Sequence, residues 1–432
     1  MNAREAAFRS LLRIEKENRY SALELDSVIS AEKPDDKEKA LYTTLVYGVI
    51  ERLITLDYII SIYSSKPVKR LDRNTSVILR LGVYQICMLD KIPDSAAVNE
   101  CVKLAARYSA RSKGFVNAIL RKVASEKDRI DYPSEKDGAI RYLSVKYSLP
   151  EWICRSFCED YPDEGEKIFE FVNSDPFITL RINTLQTSVI EAERAVGSAE
   201  RCRYSPFGIK LTRHIPITDL SLDKGAYFVQ DEASQIECIA LDPKAGETVI
   251  DVCACPGGKS FSAAIEMKNT GKVYSFDIHD SKLPLIGKEA ENLDISIIET
   301  RAHDSTEPAS DLIGKADKVI CDVPCSGLGV LHKKGDLRHK DVRSLETLPE
   351  LQYRILCASA EYVKSGGIIV YSTCTLRKAE NELVFNRFLE EHADDFELVP
   401  FTFGDEKCGG TITLLPHIHG TDGFFIAKAM KK

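Results

Sequence analysis

No run of about eighteen apolar residues occurs anywhere in the 432 residues, so no membrane-spanning helix is expected. The first twenty residues, MNAREAAFRSLLRIEKENRY, carry charge throughout and lack the apolar core of a signal peptide. They read as the first helix of a domain. Among the thirteen cysteines there is no Cys-x-x-Cys pair, which leaves zinc-ribbon and thioredoxin-like sites without their ligands; no metal is expected. An odd number of thiols scattered over a long chain also argues against a disulfide framework and for a reducing compartment. We expect a cytoplasmic protein whose cysteines are mostly small buried hydrophobes. Internal repeats and low-complexity segments are absent too.

What is present is an ordinary soluble composition, 44% hydrophobic and 29% charged, long enough for two or three domains. The net charge of −8 disfavours nucleic acid as a partner of the whole surface. Local patches decide binding, however, and two basic clusters stand out. One is KPVKRLDR with Arg80; the other is HKKGDLRHKDVR, residues 332–343. Each is either a solvated face or a row of phosphate contacts.

Residues 1–130 read as an all-α domain of five or more short helices, because apolar positions recur at three and four in KALYTTLVYGVIERLITLDYIISIY and its neighbours. A polar, proline-marked connector follows, with DYPSEKDG and YSLPEW. FITLRINTL and GIKLTRHIPI then read as strands of a small α/β extension over 145–225. From 226 to 432 strands and helices alternate: ETVIDVCA, GKVYSFDI, ISIIET, ADKVICDV and GGIIVYSTC are near-continuous apolar runs. Such runs separated by helices predict a parallel sheet covered on both faces, finished by FELVP and GFFIAKAM.

The stretch DVCACPGGKS ends like a phosphate-binding loop. That loop needs a glycine five positions before Gly258, and the residue there is Cys253. Pro256 also removes a backbone donor. The nucleotide triphosphatase reading therefore fails, and the dinucleotide pattern G-x-G-x-x-G is missing as well. Yet a strand, a tight glycine turn and a helix still mark the place where ligands bind on a parallel sheet. Asp277 ends the next strand and suits a ribose diol, and Asp304 follows the strand after that, where an adenine edge would lie. A nucleoside without a phosphate, such as S-adenosylmethionine, fits this set.

DVCACPGGKS, DVPCSGLG and VYSTCT together resemble the RNA cytosine-5 methyltransferases of the Sun/Nop2/NSUN family, and FVQDEASQ and HGTDGFFIAKAMK resemble its flanking motifs. LVYGVIERLITLD, ILRLGVYQICMLDKIPDSAAVNE and KGFVNAILR resemble the NusB-like domain of one bacterial branch. The resemblance covers nearly the whole chain. It implies an all-α NusB-like RNA-binding domain followed by a class I, Rossmann-like, S-adenosylmethionine-dependent domain with a small α/β extension. It further implies 16S ribosomal RNA as partner, with the position-967 cytosine as target. No membrane partner is expected, and a monomer is the default. Two departures stand out: Cys255 replaces an alanine, and Gly335 replaces a proline, which should loosen its loop.

Carbon 5 of cytosine is a poor nucleophile until a thiolate adds at carbon 6. Two cysteines each follow a strand, Cys325 and Cys374, and spacing alone does not choose between them. The resemblance makes Cys374 the nucleophile and Cys325 the product-release group. It places Asp322 at the base edge and the cofactor's amine side, and the loop Cys253, Ala254, Cys255, Pro256, Gly257, Gly258 and Lys259 around the cofactor. A reactive thiol needs electropositive neighbours, and Lys259 is one candidate. Asp251 reads as structural or cofactor-adjacent. A non-catalytic NusB-like RNA-binding protein and a methyltransferase acting on tRNA or another RNA are the alternatives.

Overall fold

The computed structural model describes residues 2–17, 19–213 and 215–432. Met1 and Asn18 of the expected first helix, and His214 of the run GIKLTRHIPI, lie outside the described residues. Two compact units form, one of Met1–Asn173 with Lys334–Lys340, the other of Ser174–Lys333 with Asp341–Lys432.

The first unit opens with α1 (Ala3–Glu17), α2 (Ser21–Glu32), α3 (Asp36–Glu51), α4 (Leu53–Tyr63), α5 (Arg73–Met88), α6 (Asp94–Tyr108) and α7 (Lys113–Glu126). Two starts are set by side chains: Asp35 accepts from the Glu38 N–H and Asp72 from the Thr75 N–H. Every residue of α5 from Thr75 to Ile86 except Arg80 is buried, as expected of a helix that is apolar on all sides. Arg80 forks onto Asp57 of α4 at 2.6 and 2.9 Å, so this member of the first basic cluster serves the bundle. α8 (Ala139–Tyr147), α9 (Glu151–Asp160) and α10 (Gly165–Val172) belong to the same unit. α9 and α10 thus fall in the helical unit, ahead of the first strand, within the stretch 145–225 read from the sequence as a small α/β extension.

Segment Lys334–Lys340 returns to the helical unit, and Gly335 begins a short 3-10 turn there. The turn is fastened rather than loose. Arg338 is 1% exposed, and its guanidinium donates to the Glu51 and Val172 carbonyls at 3.0 Å and to Asn173 Oδ1 at 2.9 Å. His339 Nε2 lies 2.9 Å from the Ile50 carbonyl.

The second unit begins with a small antiparallel sheet of β1 (Thr179–Ile182), β2 (Ala199–Arg201), β3 (Gly208–Leu211) and β4 (Tyr227–Val229), in the order β2-β3-β1-β4. α11 (Val189–Val196) joins it, started by a capping box between Ser188 and Glu191. Then come α12 (Glu232–Leu241), β5 (Thr248–Asp251), α13 (Gly258–Glu266), β6 (Lys272–Asp277), α14 (Leu283–Asn292), β7 (Ile298–Ala302), β8 (Ala316–Asp322), α15 (Leu348–Ala360) and β9 (Val363–Thr373). After α16 (Glu382–Glu391) follow β10 (Phe396–Leu398), the hairpin β11 (Phe401–Phe403) and β12 (Glu406–Cys408), β13 (Thr411–Leu414), α17 (Pro416–His419) and β14 (Phe424–Lys431).

The large sheet runs β10-β14-β9-β8-β5-β6-β7, with β13 also paired to β14. β5 to β9 pair in parallel, as the apolar runs predict. β14 runs antiparallel against β9, and β10 and β13 run antiparallel against β14, so the expected parallel sheet ends in an antiparallel edge. The strand order reverses beside β5, which puts the ligand-binding crevice at its C-terminal end.

Candidate active site

Five parallel strands deliver the candidate residues to one edge. β5 ends at Asp251, β6 at Asp277, β7 just before Asp304, β8 at Asp322 and β9 just before Cys374. The turn after β5 carries Cys253, Ala254 and Cys255, a cis peptide before Pro256, and then Gly257 and Gly258. Burial pushes the thiols of Cys253 and Cys255 up, so neither is activated. Gly257 sits at φ +109°, a conformation side chains avoid, and a Cβ there would run into the Phe261 ring. Gly258 has ordinary space around it and opens α13.

Below the turn lies a buried polar chain. Ser275 donates to Ser260 at 2.7 Å, and Ser260 donates to Asp251 Oδ2 at 2.7 Å. Burial pushes the Asp251 carboxyl up to about 7. Glu237, a residue of α12 that is 1% exposed, lies in the same cluster. Lys259 stands among these carboxylates: its ammonium is 2.5 Å from Asp322 Oδ2 and 3.4 Å from Glu237 Oε2. Ser372 donates to Asp322 Oδ1 at 3.1 Å. The carboxylates hold the Lys259 proton firmly in place.

The two strand-end cysteines meet. Cys325 Sγ and Cys374 Sγ are 3.1 Å apart. The Cys325 thiol is pushed well up, first by its hydrogen bond with Cys374 and then by burial. The charge of Lys259 is shared by Asp322 and Glu237.

A scaffold that the sequence did not reveal holds these loops. Glu380 is fully buried; it accepts from the Ser326 N–H at 2.8 Å, from Gln352 Nε2 at 3.0 Å and from Arg377 Nη1 at 3.0 Å. Asn381 donates to the Thr375 carbonyl at 3.0 Å and accepts from the Thr373 hydroxyl at 2.5 Å. Ser326 and Thr375 pair through their hydroxyls at 2.7 Å. The Gly329 N–H donates to the Cys374 carbonyl, and the Gly423 N–H donates to the Gly329 carbonyl. A Cβ at Gly329 would collide with the Gly423 carbonyl, so only glycine lets these backbones meet.

Much of the basic run 332–343 serves structure instead of RNA. Lys333 donates to Asp231 at 2.6 Å and Asp422 at 2.8 Å, tying FVQDEASQ to HGTDGFF. His332 Nε2 lies 3.3 Å from Asp422, and Arg338 is buried in the helical unit. Lys334 and Arg343 remain exposed.

The residues fit S-adenosylmethionine. Gly257 and Gly258 keep the turn after β5 free of side chains, and Asp277 keeps a carboxylate at the next strand end. Asp277 also accepts from the His279 N–H at 2.8 Å. Asp304 is exposed and spends Oδ1 on the Thr306 N–H and hydroxyl.

Fold and site define an RNA methyltransferase of the S-adenosylmethionine-dependent, Rossmann-like class. Family descriptions match in three parts: the NusB family over residues 1–125, the ferredoxin-like domain of RsmF/B-like methyltransferases over 149–218, and the 16S rRNA methyltransferase RsmB/F family over 238–430. The probable ribosomal RNA small subunit methyltransferase B of Bacillus subtilis (strain 168) is 35% identical over 100% of this chain and 99% of its own. The ribosomal RNA small subunit methyltransferase B of Escherichia coli O1:K1 is 30% identical over 93% of this chain and 92% of its own. The crystal structure of PH0851 superposes with a TM-score of 0.82 at 27% identity, covering 100% of this chain and 99% of that one. The chain belongs to the ribosomal RNA small subunit methyltransferase B family.

Proposed function

We propose that the protein methylates carbon 5 of a cytosine in 16S ribosomal RNA, at position 967, through a covalent adduct on Cys374. The observation that carries this reading is the pair of sulfurs 3.1 Å apart at the ends of β8 and β9. Two thiols in contact at the catalytic edge of such a sheet answer the needs of a reaction that both makes and breaks a carbon–sulfur bond.

Cys374 gives its proton to solvent, and its sulfur bonds to carbon 6 of the cytosine. The electron pair of the 5,6 double bond becomes nucleophilic at carbon 5 and forms the new carbon–methyl bond. S-adenosylmethionine, when bound, supplies that methyl as an electrophile. The carbon-5 hydrogen then leaves as a proton, the sulfur–carbon 6 bond breaks and the double bond re-forms. Cys325, which keeps its own proton, relays this proton to the departing Cys374 sulfur, restoring both thiols. One proton is released overall.

Asp322, fixed by Lys259 and Ser372, accepts from the cytosine amino edge. The turn from Cys253 to Lys259, Asp277 and Asp304 hold the cofactor. The target base has to leave its stack to reach the thiols, which is cheapest in an RNA loop. Phosphates are met by exposed cations of the helical unit. Lys69, Arg70 and Arg73 lie near Arg111 and Lys113, because Asn74 donates to the Tyr108 carbonyl at 2.8 Å and Ser112 to Asp72 at 3.4 Å. The protein works in the cytoplasm as a monomer, needing no metal and no membrane.

The test is methyl transfer from deuterium-labelled S-adenosylmethionine to unmodified 16S transcript, followed by nuclease digestion and mass spectrometry. A single 5-methylcytosine in the fragment holding position 967 is expected. Label at another cytosine would refute the target. Label only on tRNA would refute the substrate, and no transfer to any RNA would leave RNA binding without catalysis.

A further inference from the structure

Glu237 is not used by the reaction above, yet it is a buried carboxylate beside the site. It sits on α12 with 1% exposure, with the Ser372 hydroxyl and the Lys259 ammonium as its polar neighbours. Its nearest charge is the Lys259 ammonium at 3.4 Å, which is already paired with Asp322 at 2.5 Å. Asp251 stands on the other side of the same cluster, linked through Ser260. One cation thus faces three carboxylates, two of which, Glu237 and Asp251, are 1% exposed. A buried carboxylate without its own cation is expensive in the charged form and holds a proton instead.

The groups facing Glu237 can be named element by element. α13 contributes Lys259, β8 contributes Asp322 and Cys321, β5 contributes Asp251 and β9 contributes Ser372. β11, Phe401–Phe403, carries no charged side chain. On β14, Lys428 faces Lys318, Asp242 and Lys244, and Lys431 lies over the Phe396 ring. Lys259 is therefore the sole cation among these neighbours, and burial drives Glu237 toward its neutral form.

We propose that Glu237 is a proton-releasing positioning residue: it holds a proton in the free protein and gives it up when a cationic cofactor enters the edge held by Asp322 and Lys259. The proposal rests on S-adenosylmethionine being the cofactor. The methyl donor carries a sulfonium charge that its product, S-adenosylhomocysteine, lacks. A second positive charge lets the third carboxylate ionise, so binding of the donor expels a proton and binding of the product does not. The extra anion then favours donor over product by charge, acting through Lys259 without touching either ligand.

The experiment is isothermal titration calorimetry of the whole protein at pH 7.5 with S-adenosylmethionine and with S-adenosylhomocysteine. Each titration is run in two buffers of different ionisation enthalpy, which counts protons released. Wild type should release clearly more protons with the donor than with the product. Glu237→Gln, close in shape, should abolish that difference and cut the donor-to-product affinity ratio by about tenfold. Equal proton counts for the two ligands in wild type would overturn the proposal without recourse to any variant. An unchanged proton difference in the Gln variant would overturn it as well. No binding of the donor at all would instead refute the cofactor reading on which it rests.

Discussion

Substituting glutamine for Glu380 removes one charge from the scaffold under the Cys325 loop and keeps its shape. The side chain is fully buried, and its partner Arg377 is 16% exposed. Removing one partner of a buried ion pair costs about 3–5 kcal/mol, and the residual exposure of Arg377 favours about 3. The new amide keeps its oxygen on the Ser326 N–H and the Gln352 amide, which share one oxygen of Glu380, and so turns its NH2 toward Arg377, adding about 1 kcal/mol. At about 2–4 °C per kcal/mol for a unit of this size, the melting temperature should fall by about 10 °C. The assay is urea denaturation and thermal melting followed by circular dichroism. Tryptophan fluorescence serves as a separate channel, because the single tryptophan, Trp152, lies in α9 of the helical unit. Stability within about 0.5 kcal/mol of wild type, the range of neutral surface changes, would refute the claim that Glu380 holds the loop.

Gly257→Ala should lower cofactor affinity at least tenfold in calorimetry, because the added Cβ strains a φ of +109° and meets Phe261. Asp251 gives a pH signature. Its carboxyl is raised in the folded state to about 7 from 3.8, so the folded protein binds the extra proton between those values. That contribution is fully present below about pH 4 and is lost as pH rises through 7. Asp251→Asn should remove this fall, so urea titrations at pH 5 and pH 8 should show a smaller difference than in wild type. Reversing Arg70, Arg73 and Arg111 together to glutamate should weaken 16S rRNA binding and reduce its salt dependence by about 2–3 in slope, roughly 0.7–0.9 per phosphate contact, with cofactor binding unchanged.

The apolar runs from ETVIDVCA to GGIIVYSTC showed the parallel sheet because strands buried on both faces have no polar alternation to hide them. The same logic missed β11, β12 and β13, three- and four-residue strands with mixed burial, whose pairing depends on tertiary contact. The strand-end aspartates and the two cysteines were legible because a parallel sheet sends every strand's C-terminus to one edge. Basic residues misled: Lys333 and Arg338 look like phosphate ligands in sequence, yet one bridges Asp231 and Asp422 and the other caps backbone carbonyls. Such partners lie far away along the chain. Glu237 left a signal that was readable, a carboxylate between Ile236 and Cys238 in the apolar second half of α12. Glu380 left none, since a charge in a turn is normally solvated.

The central claim is that Cys374 attacks and Cys325 releases. Cys325→Ala is incubated with S-adenosylmethionine and unmodified 16S transcript and run on a denaturing gel. The account predicts a protein–RNA band that persists in the single variant and disappears when Cys374→Ala is added. A variant without adduct, from a wild type that methylates the same transcript, would contradict it.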